Sequence, residues 1–257
     1  MPFVELDGVN LYFEEFGSGP PVVFLHGGGG NHLVWWQQIP AFSEQYRCIA
    51  IDHRGFGQSI DASSEGATRF GDDLEGLLDH LGIDRAALVC QSMGGNTAMR
   101  FAVEHPERIT ALVMASTWGF IDWPEGTDRL RAALIAAAAA APTAGTPALG
   151  ARFKASNPAG TFLYGRLAAL NPTLATGIAD TLPMGAPTRD VVAQLRVPAL
   201  FMIGLDDVLV ALEDMREICA LIPGATLKEF PGLGHSTYWE DPAVFNDTIG
   251  AFLAQHV

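Results

Sequence analysis

Short runs rich in Val, Ile, Leu and Phe alternate with helix-length segments along almost the whole chain of 257 residues. This alternation is typical of a mostly parallel sheet that is covered by helices on both faces. Apolar residues make up 49% of the sequence, which is enough to bury the two faces of one such sheet. The sequence therefore predicts the α/β class.

Eight strands are predicted. Residues 4–6 and 11–16 are joined by the turn signal Asp7-Gly8 and form an opening antiparallel hairpin. The parallel strands that follow are residues 22–25, 48–51, 87–90, 111–114, 199–203 and 226–230. Helices are predicted at about residues 35–45, 68–81, 93–104, 212–221 and 242–254.

The alternation is interrupted once, between residues 119 and 190. This segment contains an alanine tract, several prolines and apolar side chains such as Phe153, but no strand-like run. Structureless loops of this length are uncommon in compact domains. We interpret residues 119–190 as a mostly helical cap over the carboxyl edge of the sheet, and residues 1–118 and 191–257 as the core domain. A flexible linker between two lobes is the alternative.

The charge and the cysteines limit the partners and the compartment. The net charge of -14 repels phosphate backbones and anionic lipid surfaces, so neither nucleic acid nor a membrane is expected as a partner. Cys48, Cys90 and Cys219 lie inside apolar runs and predict no disulfide framework. The chain shows no basic start before a long apolar stretch, and the apolar run 132–141 is too short to span a bilayer. We expect a cytoplasmic protein.

The segment Gln91-Ser92-Met93-Gly94-Gly95 lies between a predicted strand and a predicted helix. A tight turn at this point imposes strained dihedral angles on Ser92, and it brings strand and helix so close that Gly94 and Gly95 have to be small. The start of the helix also favours developing negative charge beside the serine. Taken alone, the segment is also compatible with an ordinary turn.

This turn resembles the nucleophile elbow of the α/β-hydrolase family, G-x-S-x-G, with Cys90 at the position of the first glycine. The resemblance extends from the opening hairpin to the last helix and is weak only across the predicted cap. It implies an α/β-hydrolase fold with an eight-stranded, mostly parallel sheet, and it makes Ser92 the candidate nucleophile. The thiol of Cys90 is expected to crowd the turn.

The run HGGGG at residues 26–30 directly follows a predicted strand. In the family, this loop supplies one N–H of the oxyanion hole, and the resemblance places that donor at Gly28, with the N–H of Met93 as the other. We expect His26 to be a structural hydrogen-bonding residue. A merely flexible glycine loop is the alternative interpretation.

The last two predicted strands are followed by candidate acid and base residues. The segment Gly204-Leu205-Asp206-Asp207 offers two carboxylates, and the family's usual spacing selects Asp207; Asp122, after an earlier strand, is a further candidate. His235 ends the glycine-rich loop PGLGH. Ser92, Asp207 and His235 thus occur in the family's order, each beyond the carboxyl end of a predicted strand, where α/β sheets bind ligands.

A triad of this kind activates the serine for attack on a carbonyl group and requires neither a metal nor an organic cofactor. We expect a small-molecule substrate, an ester or lactone with an apolar portion. The candidate pocket residues are Gly29, Trp118, Trp123, Phe162 and Tyr164. For each of the four aromatic residues, an ordinary core position is the alternative. The same triad in the family also serves carbon–carbon bond hydrolysis, perhydrolysis and cofactor-independent oxygenation. A binding protein with a vestigial site is the non-enzyme alternative.

Overall fold

The computed structural model describes residues 2–144, 146–172 and 184–257. In this part of the chain, nine strands form one sheet: β1 Phe3–Leu6, β2 Val9–Phe16, β3 Pro21–Leu25, β4 Arg47–Ile51, β5 Ile60–Asp61, β6 Ala86–Gln91, β7 Ile109–Ala115, β8 Ala199–Gly204 and β9 Thr226–Phe230. Their order is β1-β2-β4-β3-β6-β7-β8-β9, with β5 paired to β2. The predicted α/β-hydrolase architecture, with a mostly parallel sheet after an antiparallel hairpin, is confirmed.

The α-helices in the described residues are α1 Ile39–Phe42, α2 Phe70–His80, α3 Gly94–Glu104, α4 Pro124–Ala144, α5 Ala151–Ser156, α6 Pro158–Ala168, α7 Arg189–Val192, α8 Leu212–Leu221, α9 Thr237–Glu240 and α10 Pro242–His256. The helix predicted over residues 35–45 is wrong. It is replaced by a 3-10 turn at His32–Trp35 and the single turn of α1. Pro40 has no N–H to continue a helix from residue 36, but it fits the first turn of a new one.

Strand β6 shows how the sheet separates two apolar layers, because every residue in it is buried. Leu88 and Cys90 point into the cluster that contains the apolar residues of α2, α3 and α8. Ala87 and Val89 point into the opposite cluster, which contains those of α10. The helices therefore cover both faces, and β6 runs through the middle of the core to the carboxyl edge of the sheet.

The predicted cap, residues 119–190, contributes helices α4 to α7 and none of the sheet strands within its described part; residues 145 and 173–183 lie outside it. The two ends of the segment meet, since the N–H of Asp122 donates to the carbonyl oxygen of Pro187 (2.9 Å). The boundaries at 119 and 190 stay a prediction. No helix in the described ranges has the length and apolar character that crossing a membrane requires.

Candidate active site

Ser92 lies between β6 and α3 with a φ of 48°, in the left-handed region that residues other than glycine rarely occupy. Its N–H donates to the carbonyl oxygen of Ala115 at the end of β7 (3.0 Å), and its own carbonyl accepts from the N–H of Gly95 (2.8 Å). These two bonds hold the strained turn from both sides. The serine is half-buried, so it is partly accessible at the sheet edge.

The start of α3 packs closely against the end of β3 and against a side chain that follows β7. A Cβ atom on Gly94 would lie 2.3 Å from the carbonyl oxygen of Leu25, and one on Gly95 would lie 2.3 Å from Oγ1 of Thr117. Real Cβ atoms do not tolerate such distances. Glycine at both positions therefore allows the helix to begin directly beside Ser92.

Cys90, which replaces the first glycine of the family pattern, directs its side chain away from the turn. It is fully buried in the cluster under α2 and α3, and its Sγ lies 3.0 Å from the carbonyl oxygen of Val113. Burial raises the pKa of the Cys90 thiol, which keeps the thiol protonated. The expected crowding of the elbow is accommodated because the extra atoms enter the core.

Nδ1 of His235 lies 2.8 Å from Oδ2 of Asp207, and both side chains are buried. The other carboxylate oxygen, Oδ1, accepts the N–H groups of Leu209 (2.8 Å) and Val210 (3.0 Å). Because the carboxylate is an acceptor, Nδ1 carries the proton and Nε2 keeps its lone pair. The arrangement therefore presents a basic nitrogen at the far side of the ring.

The two other acids considered from the sequence lie elsewhere. Asp206 and Asp122 are exposed, and neither bonds to His235 among the described residues. Asp122 instead pairs through its backbone with Thr188 in an isolated parallel bridge. Of the three carboxylates, the structure brings only Asp207 to the imidazole.

Gln91 connects the candidate nucleophile to the histidine loop. Its Nε2 donates to the carbonyl oxygen of His235 (3.2 Å), and a Cβ atom on Gly27 would lie 1.9 Å from its Oε1 and 3.1 Å from Cβ of Ser92. The side chain of Gln91, next to Ser92 in the chain, therefore joins the histidine loop and lies against the glycine loop. The sequence analysis did not single it out. Within the described residues, no hydrogen bond joins the Ser92 hydroxyl to His235. Such bonds are often long in unliganded enzymes and shorten when substrate binds.

The candidate oxyanion donors, Gly28 and Met93, have N–H groups without an acceptor in the described part of the chain. The carbonyl oxygen of Gly27 accepts from the N–H of Gly30 (3.0 Å) and from Nδ1 of His26 (2.8 Å). Because a trans peptide points its C=O and N–H in opposite directions, these two bonds turn the N–H of Gly28 away from the core.

The expected structural role of His26 is consistent with its contacts. The N–H of His53 donates to Nε2 of His26 (3.0 Å), so the proton of the ring lies on Nδ1 and is donated to Gly27. Complete burial lowers the pKa of His26 to about 4, and the ring stays neutral above that pH. His26 therefore links the glycine loop to the loop that begins after β4.

The candidate pocket residues separate into two groups. Gly29 and Tyr164 lie beside the site: Gly29 belongs to the glycine loop, and the hydroxyl of Tyr164 is 3.0 Å from Oγ of Ser236, next to His235. For Trp118, Trp123 and Phe162, the structure shows no such relation to the glycine loop or to His235 within the described residues. Trp118 is buried against Trp123, Trp123 packs between the guanidinium groups of Arg129 and Arg189, and Phe162 is 68% exposed.

Comparison with known proteins shows the family to which the chain belongs. A family model for the alpha/beta hydrolase fold matches residues 20–242. The 2-hydroxy-6-oxo-6-phenylhexa-2,4-dienoate hydrolase of Burkholderia cepacia is 29% identical over 274 residues, which are 97% of this chain and 93% of that protein.

Two solved structures resemble the whole chain. Est816, an N-acyl homoserine lactone degrading enzyme, is 27% identical with a TM-score of 0.80, over 98% of this chain and 100% of that one. A malate-bound thermophilic esterase from Thermogutta terrifontis is also 27% identical with a TM-score of 0.80, over 97% and 95% of the two chains. The chain belongs to the α/β-hydrolase fold family, and it is an enzyme of the hydrolase class.

Proposed function

We propose that this enzyme is a serine hydrolase that cleaves a small carboxylic ester or lactone. Ser92 is the nucleophile, His235 the general base and acid, Asp207 the orienting carboxylate, and the N–H groups of Gly28 and Met93 form the oxyanion hole. The observation that carries the proposal is the buried His235–Asp207 pair at 2.8 Å, on the loops beside a serine with a left-handed φ.

In the first half-reaction, Oγ of Ser92 attacks the carbonyl carbon while Nε2 of His235 takes the hydroxyl proton. The carbonyl electron pair moves onto oxygen, where the two N–H donors stabilise the negative charge. Collapse of the tetrahedral intermediate breaks the bond to the leaving alkoxide, which receives its proton from His235. Water then attacks the acyl-enzyme in the same way, and the acid is released.

The substrate class is proposed from charge and surroundings. A net charge of -14 disfavours the approach of anionic substrates such as the dienoate in the name of the Burkholderia relative. Next to the candidate donor Met93, an apolar cluster contains Phe56 and the half-buried Phe120. A neutral ester or lactone with an apolar portion suits both features. We also propose that residues 119–190 act as the cap over this site, which the contact of Tyr164 with Ser236 supports.

Carbon–carbon bond hydrolysis is the second candidate, because the Burkholderia relative is 29% identical across 97% of this chain. Short p-nitrophenyl esters, an N-acyl homoserine lactone and a ring-cleavage dienoate offered to the same preparation distinguish the two candidates. We expect turnover of at least one ester or lactone at a higher kcat/KM than that of the dienoate. Turnover of the dienoate alone would contradict the proposal.

Replacing Ser92 by Ala removes the nucleophile, and we expect kcat to fall by about 10³-fold or more on the ester or lactone identified above. Ser64→Ala is the matched control, because Ser64 also has a left-handed φ (61°) but lies in an exposed loop. We expect Ser64→Ala to retain full activity and both variants to retain the far-UV circular dichroism of the parent. Ester turnover that survives in Ser92→Ala would exclude Ser92 as the nucleophile.

A further inference from the structure

The chain that follows α6 is hydrogen-bonded to the glycine loop. Nδ2 of Asn171 donates to the carbonyl oxygen of Gly29 (2.8 Å), and Oδ1 of the same amide accepts from the N–H of Gly57 (2.8 Å). One side chain of the proposed cap therefore bridges two loops of the core. The bridge spans 142 residues of sequence between Asn171 and Gly29.

A second bond joins the same two regions. Nδ2 of Asn31 donates to the carbonyl oxygen of Leu167 (3.0 Å), while its Oδ1 accepts from the N–H of Leu33 (3.1 Å). Gly29 in the glycine loop and Asn31 directly after it are thus both bonded to the segment 167–171. Two side-chain amides, those of Asn171 and Asn31, therefore join these two regions.

Gly57 is the rigid end of the bridge. Its φ is 50°, and a Cβ atom there would lie 2.1 Å from Oδ2 of Asp52, a fully buried carboxylate. Asp52 also accepts the N–H of Gln58 (2.8 Å) and the N–H of His32 (2.6 Å), which holds the loop around Gly57 in place.

Gly29 is the weakly held end of the bridge. It has a φ of 77°, and the space around its Cβ position is open to 4 Å, as is that of Gly28. Consecutive glycines lose much conformational entropy when they are ordered, so a loop of this kind needs external bonds to keep one shape. The amide of Asn171 supplies such a bond from a fixed point.

We propose that Asn171 is a positioning residue for the oxyanion hole: by holding the Gly29 carbonyl, it keeps the N–H of Gly28 directed at the developing oxyanion and couples the cap to catalysis. This inference rests on the proposed function, because it assigns Asn171 a role in the same reaction. Asn171 does not touch the reacting atoms and acts through the loop.

Two substitutions separate the halves of the bridge. Asn171→Asp keeps an acceptor for the N–H of Gly57 but offers no donor to Gly29, and Asn171→Ala removes both bonds. We expect kcat to fall about tenfold in each with KM changed less than twofold, because a donor that acts in the transition state is displaced but not lost. The inhibition constant of a phenylboronic acid, whose adduct with the serine is tetrahedral and anionic, should rise by the same factor.

Asn157→Ala is the matched control. Asn157 also lies in the proposed cap, but its amide accepts from the N–H of Gly160 (2.8 Å) at the start of its own helix. We expect this variant to keep kcat and boronic acid inhibition within twofold of the wild type. A change in KM alone in the Asn171 variants, or equal effects of Asn157→Ala and Asn171→Ala, would overturn the inference.

Amide hydrogen exchange of the free enzyme tests the position of the loop without any substrate. In Asn171→Ala and Asn171→Asp, the peptide containing residues 27–31 should exchange faster than in the wild type, whereas Asn157→Ala should leave it unchanged. Unchanged exchange in both Asn171 variants would overturn the inference. If the wild type hydrolyses no ester or lactone, the proposed function fails, and the exchange rates still decide whether Asn171 holds the loop.

Discussion

The carboxylate of Asp207 is bonded on both oxygens, and this decides which nitrogen of His235 carries the proton. The N–H groups of Leu209 and Val210 donate to Oδ1, so an oxygen has to remain on that side. Any replacement for Asp207 that keeps these two bonds must turn its other atom towards Nδ1 of His235. The identity of that atom sets the tautomer of the ring.

Asp207→Asn turns an NH₂ group towards Nδ1, which forces the proton onto Nε2 and removes the base proposed for Ser92. We expect kcat/KM to fall about 10³- to 10⁴-fold, in line with the general cost of the wrong tautomer. Asp206→Asn is the control and should retain activity, since Asp206 is exposed. Steady-state kinetics on one ester decides the matter: if Asp122→Asn loses activity and Asp207→Asn does not, the assignment of the acid is wrong.

Site residues that lie in a local sequence motif can be predicted from the sequence. Residues whose role depends on a contact with a distant part of the chain cannot. Ser92, Asp207 and His235 could each be singled out as candidates because each follows a strand in a glycine-marked turn, and the family's spacing favoured Asp207 over Asp206. Gln91 and Asn171 could not, since their partners are 144 and 142 residues away in the chain. An amide side chain carries no periodicity that would indicate such a contact.

At the scale of elements, the boundary between β3 and α3 is a close backbone contact within the site. A Cβ atom on Gly94 would meet the carbonyl oxygens of Leu25 and His26 at 2.3 and 2.9 Å. Both are backbone atoms and cannot rotate away. The distance between helix and strand is thereby coupled to the position of Ser92 and of the N–H of Met93.

Gly94→Ala should push α3 away from β3, lower the free energy of unfolding by about 1–3 kcal/mol and reduce kcat. Gly165→Ala is the control within another helix: no atom lies within 4 Å of its Cβ position, so alanine should be neutral or stabilising by about 0.5–1 kcal/mol. Urea denaturation measures both. Equal stability of the two variants would show that the contact at Gly94 is not tight.

Elements long enough to show a repeated apolar pattern could be predicted from the sequence, and shorter elements could not. The six parallel strands and the helices α2, α3, α8 and α10 follow from alternating apolar runs. Strand β5 has two residues and α7 and α9 have four each, which is too few to show a period. The helix expected over 35–45 failed because Pro40 ends the pattern in its middle.

For the whole molecule, acidification should weaken the fold through two buried histidines. Burial lowers the pKa of His26 to about 4, and it lowers that of His53 well below its ordinary value. An unfolded chain protonates both near pH 6.5. Between pH 6.5 and about 4 the unfolded state therefore binds more protons than the folded state, and stability falls as the pH falls.

We expect the free energy of unfolding to decrease by on the order of 1 kcal/mol per pH unit and per histidine below pH 6.5. The ring of His53 packs against that of Phe70, and a phenylalanine at position 53 can keep this contact. His53→Phe should therefore reduce the dependence of stability on pH, even if it lowers stability at pH 7. His256→Gln should leave the slope unchanged because His256 is exposed. Urea denaturation at several pH values tests this, and an unaltered slope in His53→Phe would contradict it.

Labelling with a fluorophosphonate probe, followed by peptide mapping, measures the reactivity of Ser92 most directly. In the proposed mechanism, Oγ of Ser92 attacks phosphorus, fluoride leaves, and the phosphoryl oxygen of the adduct lies in the proposed oxyanion hole. We expect one label per chain on Ser92, much slower labelling of Asp207→Asn, and none on Ser92→Ala. An unlabelled Ser92, or a label on another serine that persists in Ser92→Ala, would contradict the assignment of this site.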